Sequence, residues 1–303
     1  MRFSVLGALE VSLNGGRISV GGRKQRTLLA VLLLHANRVV SRGELVQALW
    51  GEHPPPSVAE SLDAYVYRLR KQLGPGRLLR EAGGYLLTVE PGELDVDRFE
   101  QLIGTADRAA ETGDHTAAGT ALTEALALWH GSAWVDLLDE PLAGIEARRL
   151  DELRLGAVES RIEAELVSGR GAELVPELER LVAEQPLREG LRCHLMLALY
   201  RAGRQTDALD VFRAARDRLV NELGLEPGRE LQELQRRILQ HDPTLAEPRR
   251  VLVARGSTTK GAIAGVSAAA LLGVVVAALL LGSGASHARR ALPRGANGLL
   301  ALS

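Results

Sequence analysis

The chain is poor in the residues that usually announce chemistry. It has one cysteine, Cys193, in 303 residues. No internal disulfide can form, and a thiolate metal site has no second ligand. A lone thiol in an apolar stretch fits a reducing compartment and a core position. The 7 histidines are scattered and never pair as His-x-x-x-His. There is no Gly-x-x-x-x-Gly-Lys-Ser/Thr loop to cradle phosphates. Acidic neighbours such as Asp151 and Glu152 lie in charged helical stretches and read as surface ion-pair material. The start, Met1 to Ser4, lacks the long apolar core of a secretion signal. Enzymatic chemistry is therefore not indicated, and no cofactor or metal is expected. Aromatic residues make up only 3%, a trait that reflects genome composition more than function.

Excess charge is also missing: 37 Lys and Arg meet 38 Asp and Glu, for a net −1. That average hides a segregation. Residues 1–93 carry 12 basic against 8 acidic side chains, and residues 249–303 carry basic residues and no acidic ones. A locally basic segment in a neutral chain suits a nucleic-acid reader joined to a neutral partner domain, and equally a solvated charged face.

The first 93 residues alternate short strand and helix patterns. Arg2–Leu6, Leu9–Leu13 and Arg17–Val20 read as strands, with Asn14-Gly15-Gly16 as a turn. The spacing of Leu28, Leu29, Leu32 and Leu33 predicts a helix from Arg23 to Ala36, stopped at Asn37. Ser41 and Glu44 form a capping-box pattern for a helix through Leu49. After Pro54-Pro55-Pro56, Ser57 with Glu60 repeats that pattern for a third helix, 57–73, ended by Gly74-Pro75-Gly76. Arg77–Val89 then reads as a hairpin around Gly83-Gly84. From 95 to 242 amphipathic helices follow one another: Val96–Thr112, His115–Trp129, Leu142–Ser168, Ala172–Glu184, Arg188–Ala202, Thr206–Glu222 and Gly228–Gln240. Their pairing suggests a tetratricopeptide-like array, or a plain bundle. A polar linker, 243–260, leads to the uncharged apolar run 261–282. At about 1.5 Å per residue that run spans roughly 33 Å, which predicts one transmembrane helix. A short tail, 283–303, remains.

The third helix carries the functional signal. Leu62, Val66, Leu69 and Leu73 mark its core side. Ser61, Ala64, Arg68 and Lys71 share another face that a DNA major groove can reach, and arginine is the commonest base reader there. The basic run Arg23, Lys24, Arg26 opposes a helix macrodipole. A phosphate or a neighbouring carboxylate would relieve it.

Several segments in order resemble a known family: Gly22-Arg23-Lys24-Gln25-Arg26-Thr27-Leu28-Leu29-Ala30, Ala48-Leu49-Trp50-Gly51, Pro54-Pro55, Tyr65-Val66-Tyr67-Arg68-Leu69-Arg70, Leu73-Gly74 and Gly84-Tyr85-Leu86-Leu87. The chain resembles, over residues 1–242, the AfsR-like Streptomyces antibiotic regulatory protein family. The resemblance implies an OmpR/PhoB-type winged helix (1–93) and a bacterial transcriptional activation domain (95–242). It implies that 57–73 is the recognition helix, with Arg68 and Arg70 at its basic Arg-Leu-Arg positions, and that the hairpin is the wing. Neither the larger members' ATPase module nor a receiver domain before the winged helix is expected.

The fold class expected is mainly α with small β: a winged helix-turn-helix domain, an all-α tetratricopeptide-like domain and one transmembrane helix. Base reading is assigned to Arg68, Ser61, Ala64 and Tyr65. Backbone contact is assigned to Arg23, Lys24, Arg26, Tyr67, Arg70 and Lys71, and wing contact to Arg77 and Arg80, the tip Glu81-Ala82-Gly83-Gly84 being acidic. Expected partners are double-stranded promoter DNA, RNA polymerase, further copies of the chain and a membrane. The expected site is the cytoplasmic membrane, crossed once, with the N-terminal domains in the cytoplasm. The rival readings are a protein-interaction scaffold with a degenerate winged helix, and a signalling protein.

Overall fold

The computed structural model describes residues 1–246. Two small antiparallel sheets flank three helices at the N-terminal end. The first sheet has strands β1 (Arg2–Ser4), β2 (Glu10–Leu13) and β3 (Gly16–Ile18), in that order. Asn14 and Gly15 turn β2 into β3, both with positive φ. Then come α1 (Arg23–Leu34), β4 (Val39–Ser41), α2 (Arg42–Trp50), α3 (Val58–Leu73), β5 (Leu78–Glu81) and β6 (Gly84–Leu87). The second sheet is ordered β4-β6-β5, so β6 sits between its hairpin partner and the strand that precedes α2. Gly84 makes that pairing possible: a Cβ there would collide with the Val40 carbonyl oxygen.

Among the described residues seven further α-helices follow: α4 (Asp95–Glu111), α5 (His115–Leu126), α6 (Pro141–Val167), α7 (Gly171–Glu184), α8 (Glu189–Arg201), α9 (Gln205–Leu223) and α10 (Arg229–Leu239), and then a 3-10 turn, Pro243–Leu245. They pack largely as consecutive neighbours. One turn recurs after α4, α6 and α8. Gly113, Gly169 and Gly203 have φ of 77°, 78° and 77°. In each case the next residue donates its N–H five residues back: Asp114 to Ala109, Arg170 to Glu165, Arg204 to Leu199. This glycine-bearing helix stop satisfies the last carbonyls and reverses the chain. It joins α4 to α5, α6 to α7, and α8 to α9, as expected of stacked helical hairpins.

The core does not divide where the two halves meet in sequence. One apolar cluster runs from Phe3 through α1–α3 to Ala164 in α6, and a second runs from Ile162 to Leu245. The long helix α6 therefore buries one side in each cluster, which is why its sequence shows no single apolar stripe. The stretch 127–140, between α5 and α6, seals the first cluster. His130 and Trp134 donate their N–H groups to the carbonyls of Leu6 (2.8 Å) and Val5 (3.0 Å). Asp136 accepts from Leu9 N–H at 2.9 Å. Trp134 is fully buried although its φ is +53°, a conformation a bulky residue adopts only when packing holds it. Trp129 meets Phe99 edge-on at 5.3 Å. The Asp95 carboxylate, at the start of α4, accepts from the N–H groups of Val5 and Leu6 at 2.9–3.2 Å. Burial raises its pKa to about 6 against those bonds.

Four sequence expectations change. The transmembrane helix is withdrawn from the fold class, and the single-pass membrane localisation with it: among the described residues no helix is long and apolar enough to cross a membrane. Even the longest, α6, carries Glu146, Arg148, Arg149, Asp151 and Glu152 through its middle. The run 261–282 itself lies outside the described residues. Ser57 makes no side-chain cap, so its capping box with Glu60 does not form, whereas the Ser41–Glu44 box does. Strand β4 was not anticipated; three residues between two helices give no readable period. The hairpin turns at Ala82-Gly83, one residue earlier than the Gly-Gly pair suggested.

Two outcomes are expected. A fragment ending at Pro91 lacks Asp95, Trp134 and Asp136 and should lose the cooperative thermal transition of 1–246; a fragment melting as sharply at the same temperature would contradict the shared core. Glu93 lies below β1, and burial works to raise its pKa. Hydrogen bonds from the Met1 ammonium (2.8 Å), Arg77 (2.6 and 2.7 Å) and the Glu90 N–H outweigh that and hold it at about 2. A pKa below its unfolded value gives stability that is full above about 4.5 and lost as pH falls toward 2. Urea midpoints at pH 6 and pH 3.5 should therefore differ less for Glu93→Gln than for the parent chain.

Candidate nucleic-acid interface

Helix α3 is amphipathic in the plain sense. Leu62, Val66, Leu69 and Leu73 are buried and fix its inner side. Gln72 donates to the Ser19 carbonyl at 2.9 Å and accepts from the buried Gln25 of α1 at 2.5 Å, which ties its last turn to the first sheet. The outer face presents Glu60, Asp63, Tyr67, Arg68 and Lys71, all exposed. Tyr67 is 68% exposed, far beyond what a core-facing ring would show.

The residues singled out from sequence fall into two groups. Arg68 and Lys71 are exposed on α3 and Arg80 is exposed on β5; among the described residues they make no ion pair. Arg68 lies over the Tyr65 ring at 5.9 Å, and Tyr65 in turn leans on Trp50 of α2, with ring centroids 6.2 Å apart. Ser61, Ala64 and Tyr65 are half-buried beside this stripe.

The second group is held internally. Arg23 pairs with Glu140 (3.1 Å) and Asp139 (3.5 Å). Arg26 pairs with Asp136 and donates to the Leu9 carbonyl at 2.7 Å. The carboxylates before α6 thus relieve the charge at the α1 N-terminus. The Arg23 pairs are largely exposed and worth little to stability. Lys24 donates to the Leu49 carbonyl and lies 5.9 Å over the Trp50 ring. Arg70 donates to the Leu78 carbonyl at 2.8 Å, at the root of the wing. Arg77 is clamped on Glu93.

Sequence reasoning passed over three residues where α2, α3 and the wing meet. Arg42, the first residue of α2, donates to Asp63 (2.6 Å) and to the Tyr85 hydroxyl (2.7 Å), and Tyr85 donates to Asp63 (2.9 Å). These bonds hold the Asp63 carboxyl below the usual range, while burial and then Asp63 push the Tyr85 phenol up. Arg42, Asp63 and Tyr85 are far apart in the chain, and no spacing rule links them. The acidic wing tip, 81–83, is exposed.

Two family models match the chain one after the other. Residues 18–90 match the model described as transcriptional regulatory protein, C terminal, and residues 94–239 match the bacterial transcriptional activator domain. The chain is 45% identical over 248 residues to the regulatory protein AfsR of Streptomyces coelicolor, covering 82% of this chain and 25% of that protein. It thus spans about a quarter of that relative. It is 41% identical to the regulatory protein DnrI of Streptomyces peucetius, over 80% of this chain and 93% of that one. A solved structure of Mycobacterium tuberculosis EmbR, in complex with a low-affinity phosphopeptide, superposes with a TM-score of 0.77 at 34% identity and covers 82% of this chain and 65% of that one. With most of DnrI matched end to end and both family models in sequence order, the chain belongs to the Streptomyces antibiotic regulatory protein family of transcriptional regulators.

Proposed function

We propose that the chain is a sequence-specific DNA-binding transcriptional regulator, acting as an activator, whose helix α3 enters the major groove. The observation that carries this reading is the exposed stripe Tyr67, Arg68, Lys71 on a helix whose opposite side is locked in the core. An α-helix fits the major groove, and the arginine fork matches the O6 and N7 acceptors of guanine. Arg68 is the leading base reader, with Ser61, Ala64 and Tyr65 beside it. Tyr67 and Lys71 face phosphates, and Arg80 serves the wing. Arg23, Lys24, Arg26, Arg70 and Arg77 act through position, since their donors are engaged by internal carboxylates or carbonyls. The acidic tip argues against deep minor-groove insertion of the wing. The helical half is the surface for RNA polymerase and for a second copy on repeated sites. Family membership supports a regulatory role over a catalytic one, and among the described residues no cluster of His, Cys, Asp and Glu is arranged to hold a metal ion.

The test is binding of the intact chain to duplexes recovered from a random-sequence selection. Arg68→Ala should cost about 1–3 kcal/mol on the selected site and relax one base position. Lys71→Ala should weaken all sequences alike and lower the salt slope by about 1. Equal effects of the two changes on selected and scrambled duplexes would contradict the assignment.

A further inference from the structure

We propose that Arg42, Asp63 and Tyr85 form a positioning set that fixes the wing and the start of α2 against the recognition helix, and that sequence preference depends on it. The inference rests on the reading of α3 as the DNA-facing helix.

Asp63 is the puzzle that leads to it. It lies on the exposed stripe of α3, one residue before Ala64 and five before Arg68, and its side chain is 56% exposed. A bare carboxylate there would face the phosphates of a bound duplex and repel them. It is not bare. The Arg42 guanidinium neutralises it, and the Tyr85 hydroxyl closes a three-way set of bonds at 2.6, 2.7 and 2.9 Å. Hydrogen bonds with an ionised partner are about twice as strong as neutral ones. Each member comes from a different element: Arg42 opens α2, Asp63 lies in α3, and Tyr85 is in the central strand of the second sheet.

The neighbouring contacts pull the same way. The Arg42 and Arg70 guanidinium groups each lie 5.8 Å from the Tyr85 ring. Arg70 also holds the Leu78 carbonyl of β5. Tyr85 pairs with Val40 on one side and Arg80 on the other, so a tilt of its strand moves the wing arginine as well. Apolar packing beneath α3 sets its depth but is tolerant of small rotations, because hydrophobic contact is non-directional. The directional bonds above it set rotation and the wing angle.

The rival reading is that Asp63 accepts directly from a cytosine amino group in the major groove. Tyr85 separates the two. Its residue is 2% exposed, so it cannot touch DNA, and Tyr85→Phe removes one hydroxyl while keeping the buried ring. The experiment measures the intact chain on its own selected duplex and on a scrambled duplex, by fluorescence anisotropy over a salt series, with a melting curve for each variant. For Tyr85→Phe the preference for the selected duplex should fall by about tenfold, the worth of one charge-assisted hydrogen bond. Scrambled-duplex affinity and the salt slope should stay as in the parent. Asp63→Asn should lower preference in the same manner.

The proposal is overturned if Tyr85→Phe keeps the parent preference, or if it weakens both duplexes equally in step with a lowered melting temperature. It is also overturned if Asp63→Asn relaxes a single base position while Tyr85→Phe does nothing. If the parent chain itself selects no preferred duplex, the failure belongs to the proposed function rather than to the positioning set.

Discussion

The structure depends on the burial of one loop. Residues 127–140 lie against the connection 5–9 between β1 and β2, and their backbone and side chains satisfy groups that an isolated N-terminal sheet would leave unpaired. Trp134 is buried in the first apolar cluster, and Asp95 and Asp136 gather the N–H groups of Val5, Leu6 and Leu9. Buried backbone donors without partners are costly. A three-stranded sheet with strands of three and four residues has little area of its own with which to offset that cost. The N-terminal half therefore borrows part of its core from the helical half, and the true boundary between cores runs along the length of α6.

That arrangement sorts the basic residues. Positive charge near the start of α1 is matched by Asp136, Asp139 and Glu140 on the borrowed loop, and Arg77 is matched by Glu93. What remains exposed without an ion pair, among the described residues, includes Arg68 and Lys71 on α3 and Arg80 on the wing. A chain with a net charge of −1 thus presents a positive stripe on one helix. Its carboxylates are concentrated where the two halves join and where helical hairpins pair arginine with glutamate, as between Arg188 and Glu152 or Glu159. Attraction to a polyanion needs only such a local field, not a basic molecule.

Much of this was legible in the sequence. Helical periodicity placed α1–α10 to within a few residues, because each has a strong inner side or a glycine stop such as Gly113 or Gly203. The 4-3-4 spacing of Leu62, Val66, Leu69 and Leu73 marked the inner side of α3, and with it the outer stripe. What stayed hidden was tertiary. Strand β4, Val39–Ser41, has two β-branched valines but is too short to show a period, and pairing with β6 is what makes it a strand. The fate of Arg23 and Arg26 was open between phosphate and carboxylate, since their partners lie more than a hundred residues away. Nothing in the sequence sets Asp63 apart; the fold alone brings Arg42 and Tyr85 to it. The apolar run that suggested a membrane span is a compositional reading; the described helices supply no such element.

The most direct test of the shared core is native-state hydrogen exchange on the intact chain. If the loop and the first sheet form one cooperative body, the amides of Val5, Leu9, His130 and Trp134 should share a single opening free energy, and Trp134→Ala should lower protection in α1 and α4 by equal amounts. Protection lost around α4 with the amides of α1–α3 unchanged would contradict it, and would mean that the N-terminal half stands on its own core.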